Sequence, residues 1–315
     1  MITIKELAEI CGVSIATISR AFTANSVIHP ATKEKILKTA KELNYRPNVA
    51  ARALKMSKTQ TVGIIIPSID NYFYLDVLKY IECALHKNGY RLVVSFIQYG
   101  IYDEKEALNT MRDSCVDALI FSPRNTENAD TVFQLKNQMH MLQLFTAPYN
   151  DISGIVMDDK YGVRIAMDHL ISRGYKRILY IGGDNRVKGY YEALAAAEIP
   201  ADESLVSLNW SVSEAEICDK IKKLHPDAIL GIARQAQTAW CALCALQREG
   251  IPELPFVAYD DVNWVKMFNI TAVAHPLQEI AETVTQYIFA CITSDSNEYT
   301  HRVIKPFLIE RLTSK

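Results

Sequence analysis

Apolar residues recur with two different periods along this chain, and the change of period divides it. Between Thr3 and Asn44 the period is helical. Ile4, Leu7, Ala8 and Cys11 follow a Thr3–Glu6 capping box. Gly12 ends that helix, Val13 turns inward, and Ser14 caps a second helix with Ile18, Ala21 and Phe22 on one face. After Pro30 a third helix sets Ile36, Leu37, Ala40 and Leu43 on one stripe, and Asn44 suits a left-handed closing turn. An alanine-rich stretch through Leu54 and a polar run from Lys55 to Thr61 read as a linker with helical potential.

From Thr61 short apolar strands alternate with amphipathic helices. Strands are expected at 61–67, 90–97, 117–122, 140–145, 154–157, 176–182, 227–232, 255–259 and 271–274, with helices such as 73–88, 160–173 and 236–249 between them. Nearly continuous apolar strands suit a parallel sheet covered by helices on both faces. The length exceeds one doubly wound sheet, so two lobes are expected, with a closed barrel as the competing architecture. The domains read as a head at 1–47, a hinge at 48–60 and a body at 61–315. Its first lobe would take 61–152 and 277–295, and its second lobe 153–276 and 296–315.

Charge separates the same two regions. The whole chain of 315 residues carries −2, yet residues 1–60 hold ten Lys/Arg against four acids, or +6. A basic head on an acidic body points to a polyanion for the head and something else for the body. No apolar run suits a membrane span, and the start lacks the layout of a signal peptide. Seven scattered cysteines form no disulfide framework, as in a reduced cytoplasmic chain.

The turn Gly12-Val13-Ser14 between two helices reads as a helix-turn-helix. Its second helix presents Ile15, Ala16, Ser19, Arg20 and Thr23 away from the apolar face, in a form that fits a DNA major groove. A three-helix protein-interaction module is the alternative. The segments TIKELAEICGVSIATISRAF (3–22) and NYRPNVAARAL (44–54) resemble the head and hinge of the lactose-repressor (LacI/GalR) family of bacterial transcription regulators. IIPSIDNYF (65–73), the stretch from IGG at 181 to RVKGY ending at 190, and AYDD (258–261) extend the resemblance along the body.

The resemblance implies recognition positions at Ile15, Ala16, Ser19 and Arg20, and backbone contacts from Thr3, Ser14, Thr17 and Asn25. It adds Tyr45, Asn48 and Ala51 from the head-to-hinge signature, and Leu54 as an apolar wedge in a minor-groove step. It further implies a homodimer on a near-palindromic operator, because one head offers little surface. For the body it implies a fold like periplasmic sugar-binding proteins, with a carbohydrate-related effector between the lobes. Arg186 and Asp260 become the polar anchors, and Tyr72, Phe73 and Trp210 the aromatic positions.

The sequence departs from the family where Gln235-Ala236, preceded by Arg234, stands in place of the usual Asn-Asp pair and Thr146-Ala147 replaces an acidic residue. Either Arg186 and Arg234 hold an anionic effector, or the pocket is degenerate. The alternatives to a repressor are an architectural DNA-binding protein and a sugar-binding protein with cryptic enzymatic activity. No nucleophile stands with a base at recognisable spacing, and no metal or cofactor motif occurs. Cys241-x-x-Cys244 is a lone pair, and His275-Pro276 reads as a turn at a lobe crossover.

Overall fold

The computed structural model describes residues 2–22, 27–46, 58–97, 103–183, 186–294 and 299–314. Residues 1–60 and 61–315 form two separate compact units. The hinge residues Asn48, Ala51 and Leu54, and Asn25 in the head, lie outside the described residues.

In the head, α1 (Ile4–Cys11), α2 (Ile15–Ala21) and α3 (Pro30–Glu42) enclose a core of Leu7, Ala8, Cys11, Ile18, Ala21, Ile36 and Ala40. The capping box is present: Thr3 accepts from the Glu6 amide while the Glu6 carboxylate accepts from the Thr3 amide at 2.7 Å. Gly12 closes α1 at φ 69°, a conformation that favours glycine, and this fixes the tight turn into α2. Lys35 donates to the Cys11 carbonyl at 3.1 Å, placing a cation at the carboxyl end of α1. Two expected core residues lie outside: Leu37 and Leu43 are 41% and 40% exposed. So small a bundle covers only the narrow line through Ile36 and Ala40 on α3, and the flanking leucines stay wet.

The body contains two sheets. The first is built from β1 (Thr61–Ile66), β2 (Arg91–Phe96), β3 (Ala118–Phe121), β4 (His140–Phe145), β5 (Gly154–Met157) and β11 (His301–Ile304), in the order β11-β5-β4-β3-β1-β2. All its pairings are parallel, with Thr61 opposite Arg91 and Val62 opposite Ala118. The second runs β12-β10-β9-β8-β6-β7, from β6 (Ile178–Ile181), β7 (Val206–Ser207), β8 (Ala228–Ile232), β9 (Phe256–Tyr259), β10 (Thr271–Ala274) and β12 (Phe307–Ile309). There β12 alone is antiparallel, along β10. Strand order reverses around β1 in one sheet and β6 in the other, which opens a crevice at the carboxyl ends of those strands.

Helices α4 (Tyr72–Lys87), α5 (Glu104–Asp113) and α6 (Ala129–Lys136) follow the first three strands of the first sheet. The second lobe carries α7 (Asp159–Ser172), α8 (Val187–Ala196), α9 (Glu214–Leu224), α10 (Arg234–Arg248) and α11 (Asn263–Met267). The long α12 (Leu277–Ser294) returns to pack on α4. The buried faces of α4 and the first sheet, through Phe73, Val77, Ile81, Val62 and Ile120, form the first-lobe core.

The lobe boundaries expected from sequence shift. Strands β5 and β11, placed with the second lobe, belong to the first sheet, where Gln143 lies opposite Gly154 and His301 opposite Gly154 on its other side. The chain therefore crosses between lobes at 158, at 275–276 and at 305–306. The Asp158 amide donates to the Ile304 carbonyl at 2.9 Å, tying the first crossing to the third.

Candidate functional site

In the head, α2 leaves Ile15, Ala16 and Arg20 on its exposed side, with Thr17 and Ser19 partly covered. Ile18 and Ala21 anchor the opposite side in the core. Ser14 accepts from the Thr17 amide at 3.2 Å and its hydroxyl lies 2.9 Å from that of Thr17, so these two polar positions are first of all a helix cap. Thr3 has the same role for α1. Tyr45 packs its ring against Phe22 at 5.7 Å and sits half-buried on the head core. Burial raises its phenol above the ordinary tyrosine range. The structure thus presents Ile15, Ala16 and Arg20 outward, while Thr3, Ser14, Thr17 and Tyr45 also hold the frame that presents them.

In the body the candidate residues gather where the strands end. Three of these ends are strained: Phe145 at the end of β4, Ala233 after β8 and Asp260 after β9 have φ of 71°, 52° and 84°. Such conformations cost of order 1–3 kcal/mol each in non-glycine residues and cluster at ligand sites. A small cavity lies between α4 and the second sheet, lined by Asn71, Tyr72, Ala233, Arg234, Tyr259 and Asp260 among others. Its volume is about 10 Å³, room for about one water molecule.

Arg186 stands immediately before α8 and meets Asp159, the first residue of α7, with Nε 3.0 Å from Oδ2. Its guanidinium lies 4.8 Å from the Tyr259 ring centroid, a cation–π distance. The Tyr259 hydroxyl donates to the other Asp159 oxygen at 2.9 Å. Burial, reinforced by the Asp159 charge, drives the Tyr259 phenol well above its ordinary range, so it keeps the proton it donates. Asp159 therefore holds both a cation and a phenol in place. Asp260 stands beside them, buried, its amide donating to the Val273 carbonyl at 3.0 Å.

The aromatic positions divide. Tyr72 is half exposed on the cavity wall, whereas Phe73 is buried against Phe145 at 5.3 Å and His275 at 4.7 Å. Trp210 lays its indole against Gly183, and its carbonyl accepts from Gln235 Nε2 and from Arg234 Nη2, the latter at 3.2 Å. The two arginines suggested for an anionic effector stand in different settings. Arg186 is matched by Asp159, and the exposed Arg234 secures the Trp210 loop. Gln235 is buried with Oε1 unpartnered.

Sequence reasoning missed Asp159, Phe145, Tyr259 and His275. Tyr259 is the tyrosine of the AYDD motif and Asp159 lies 100 positions before it in the chain, and nothing local signals that they meet. Among the described residues there is no cluster of three or more His, Cys, Asp or Glu able to hold a metal, and no helix long and apolar enough to cross a membrane.

Residues 3–48 match the family model for bacterial regulatory proteins of the lacI family, and residues 59–302 match that for periplasmic binding proteins and the sugar binding domain of the LacI family. The chain is 28% identical over 335 aligned positions to the HTH-type transcriptional regulator RegA of Clostridium saccharobutylicum, covering 98% of each. It is 33% identical over 215 positions to catabolite control protein A of Priestia megaterium, covering 65% of this chain and 64% of that one. In fold it is similar to the Lac repressor dimer bound to operator and the anti-inducer ONPF, with TM-score 0.83 and 21% identity over 99% of both chains.

Proposed function

The chain belongs to the lacI family of bacterial regulatory proteins, and from that premise we propose that it is a repressor binding a near-palindromic operator as a homodimer, released or recruited by a small carbohydrate-related effector in the cleft. The observation that carries the effector half is a small cleft lined by Ala233, Tyr259 and Asp260, the first and last of them strained strand ends, with Arg186 stacked on the Tyr259 ring. The matched charges of Arg186 and Asp159 favour a neutral, hydroxyl-bearing effector over an anionic one. The protein acts as a binding switch and performs no chemistry on its ligand. A ligand that fits one lobe arrangement better than the other shifts the balance between them and so alters operator affinity.

In the head, Ile15, Ala16, Ser19 and Arg20 read bases, and Thr3, Ser14, Thr17, Asn25, Tyr45, Asn48 and Ala51 set the register on the backbone. Leu54 is the minor-groove wedge. An operator selected from random DNA by the full-length protein tests this half. Arg20→Ala is expected to weaken binding to that operator by about 1–3 kcal/mol, roughly 5–150-fold, while bulk DNA binding changes little. Leu54→Ala is expected to reduce the operator bend and its affinity together. Equal binding to all sequences with a steep salt dependence would instead identify an architectural protein.

The effector half is tested by adding neutral sugars, sugar phosphates, sugar acids and nucleosides to the protein–operator complex. One class is expected to change its affinity. No change with any class would mean that the cleft is degenerate.

A further inference from the structure

His275 opens the second crossing between the lobes, and its side chain is almost wholly enclosed. Its Nε2 lies 3.3 Å from Asp260 Oδ1, with the two side chains 2% and 5% exposed. Neither imidazole nitrogen has a hydrogen-bond partner, and neither does that carboxylate oxygen. The ring is packed between Phe73 of the first lobe, at 4.7 Å, and Tyr259 of the second, at 5.5 Å. The neighbouring element α4 contributes the apolar Phe73 ring, whereas β9 ends in the Tyr259 phenol and is followed at once by Asp260. The Arg186–Asp159 pair stands beyond Tyr259.

A shielded carboxylate oxygen without a donor is costly. An effector hydroxyl entering the cleft can supply that donor. A neutral imidazole offers one N–H, and its Nε2 approach does not close as a hydrogen bond, whereas a protonated His275 sets a positive charge 3.3 Å from the same carboxylate. Both draw on Asp260. We propose that His275 is a positioning residue for Asp260 whose protonation competes with the effector, so that the regulator binds its ligand more weakly as pH falls. This rests on the reading of the cleft as the effector site. Linkage is reciprocal: if the proton weakens the effector, the effector expels the proton. His275 also leads the crossing into α12, so the competition acts where the two lobes are joined.

The test uses full-length protein and calorimetric titration with D-glucose, D-galactose, D-ribose, glucose 6-phosphate and gluconate at several pH values. For any probe that binds, affinity is expected to rise about tenfold between roughly pH 5.5 and 7.5. Proton release should accompany binding within that range. His275→Gln, which keeps polarity but takes no charge, is expected to flatten the profile. A flat wild-type profile, or the same slope in His275→Gln, overturns the proposal.

A second measurement needs no effector. The His275 imidazole resonance, assigned by its loss in His275→Gln, is followed against pH in the wild type and in Asp260→Asn. Its titration is expected to move when the Asp260 charge is removed, and an unmoved titration overturns the proposal. If none of the probes binds while this resonance moves, the pairing stands and the effector reading fails.

Discussion

Replacing Leu7 with alanine is expected to unfold the head while the body stays folded. Leu7 is fully enclosed by α1, α2 and α3, and the head core holds few other large side chains. A buried Leu→Ala change costs about 2–5 kcal/mol, through lost transfer energy and the cavity left behind. A domain of this size has a total stability of only a few kcal/mol, because so little of its surface is buried. The substitution therefore consumes most or all of the margin. Urea unfolding followed by amide resonances is expected to separate the two units, with head signals lost early and the body midpoint unchanged. Operator binding should fall with the folded fraction. Leu37→Ala is the matched control: with that side chain largely in water, the change should cost well under 1 kcal/mol. Equal effects from the two substitutions would contradict the description of the head core.

Gly189→Val is expected to damage stability and effector binding together. Gly189 lies in the first turn of α8, where that helix meets α7 so closely that an added Cβ would stand 2.3 Å from the Lys160 carbonyl oxygen and 3.0 Å from the Val163 Cβ. A backbone carbonyl in a helix cannot swing aside, so α8 must move outward. Overpacking of this kind costs about 1–3 kcal/mol, sometimes more. The movement carries Arg186, three residues upstream, away from Asp159, whose place is fixed at the start of α7. The ion pair at 3.0 Å would open, and with it the support of the Tyr259 phenol. A lower body midpoint and a loss of effector affinity of tenfold or more are expected. A variant as stable as the wild type would mean that the two helices yield without cost, and that Gly189 does not position Arg186.

Much of the fold is legible because the signals are local. The Thr3–Glu6 box, the Gly12 turn and the apolar strands need only a few neighbouring residues to declare themselves. The helix stripe of α3 misleads at Leu37 and Leu43, because periodicity marks an apolar sector but not how much of it a small partner covers. Strand β11 carries mostly exposed side chains, so it lacks the apolar run that betrays its neighbours. The lobe to which β5 belongs is decided by Gln143 meeting Gly154 across a gap in sequence, which no local pattern encodes. The site follows the same rule. Arg186 and Asp260 stand in motifs, whereas His275 acquires meaning only from the Asp260 oxygen 3.3 Å away, brought there by two adjacent strands. Even the charge of Arg186 is misjudged in isolation, since its counter-ion begins a different helix.

The threefold crossing between lobes has a consequence for how the chain is made. Synthesis delivers residues in order, and domains generally acquire structure as units when their last pieces emerge. The first lobe is begun before the second, yet it waits for α12 and β11 at the end of the chain. Until then β5 is an open sheet edge and the face of α4 that meets α12 is bare, both of them liabilities for a nascent polypeptide. The second lobe waits almost as long for β12 to close against β10. A ribosome that stalls before residue 301 therefore releases two unfinished sheets at once, rather than one complete lobe and one fragment.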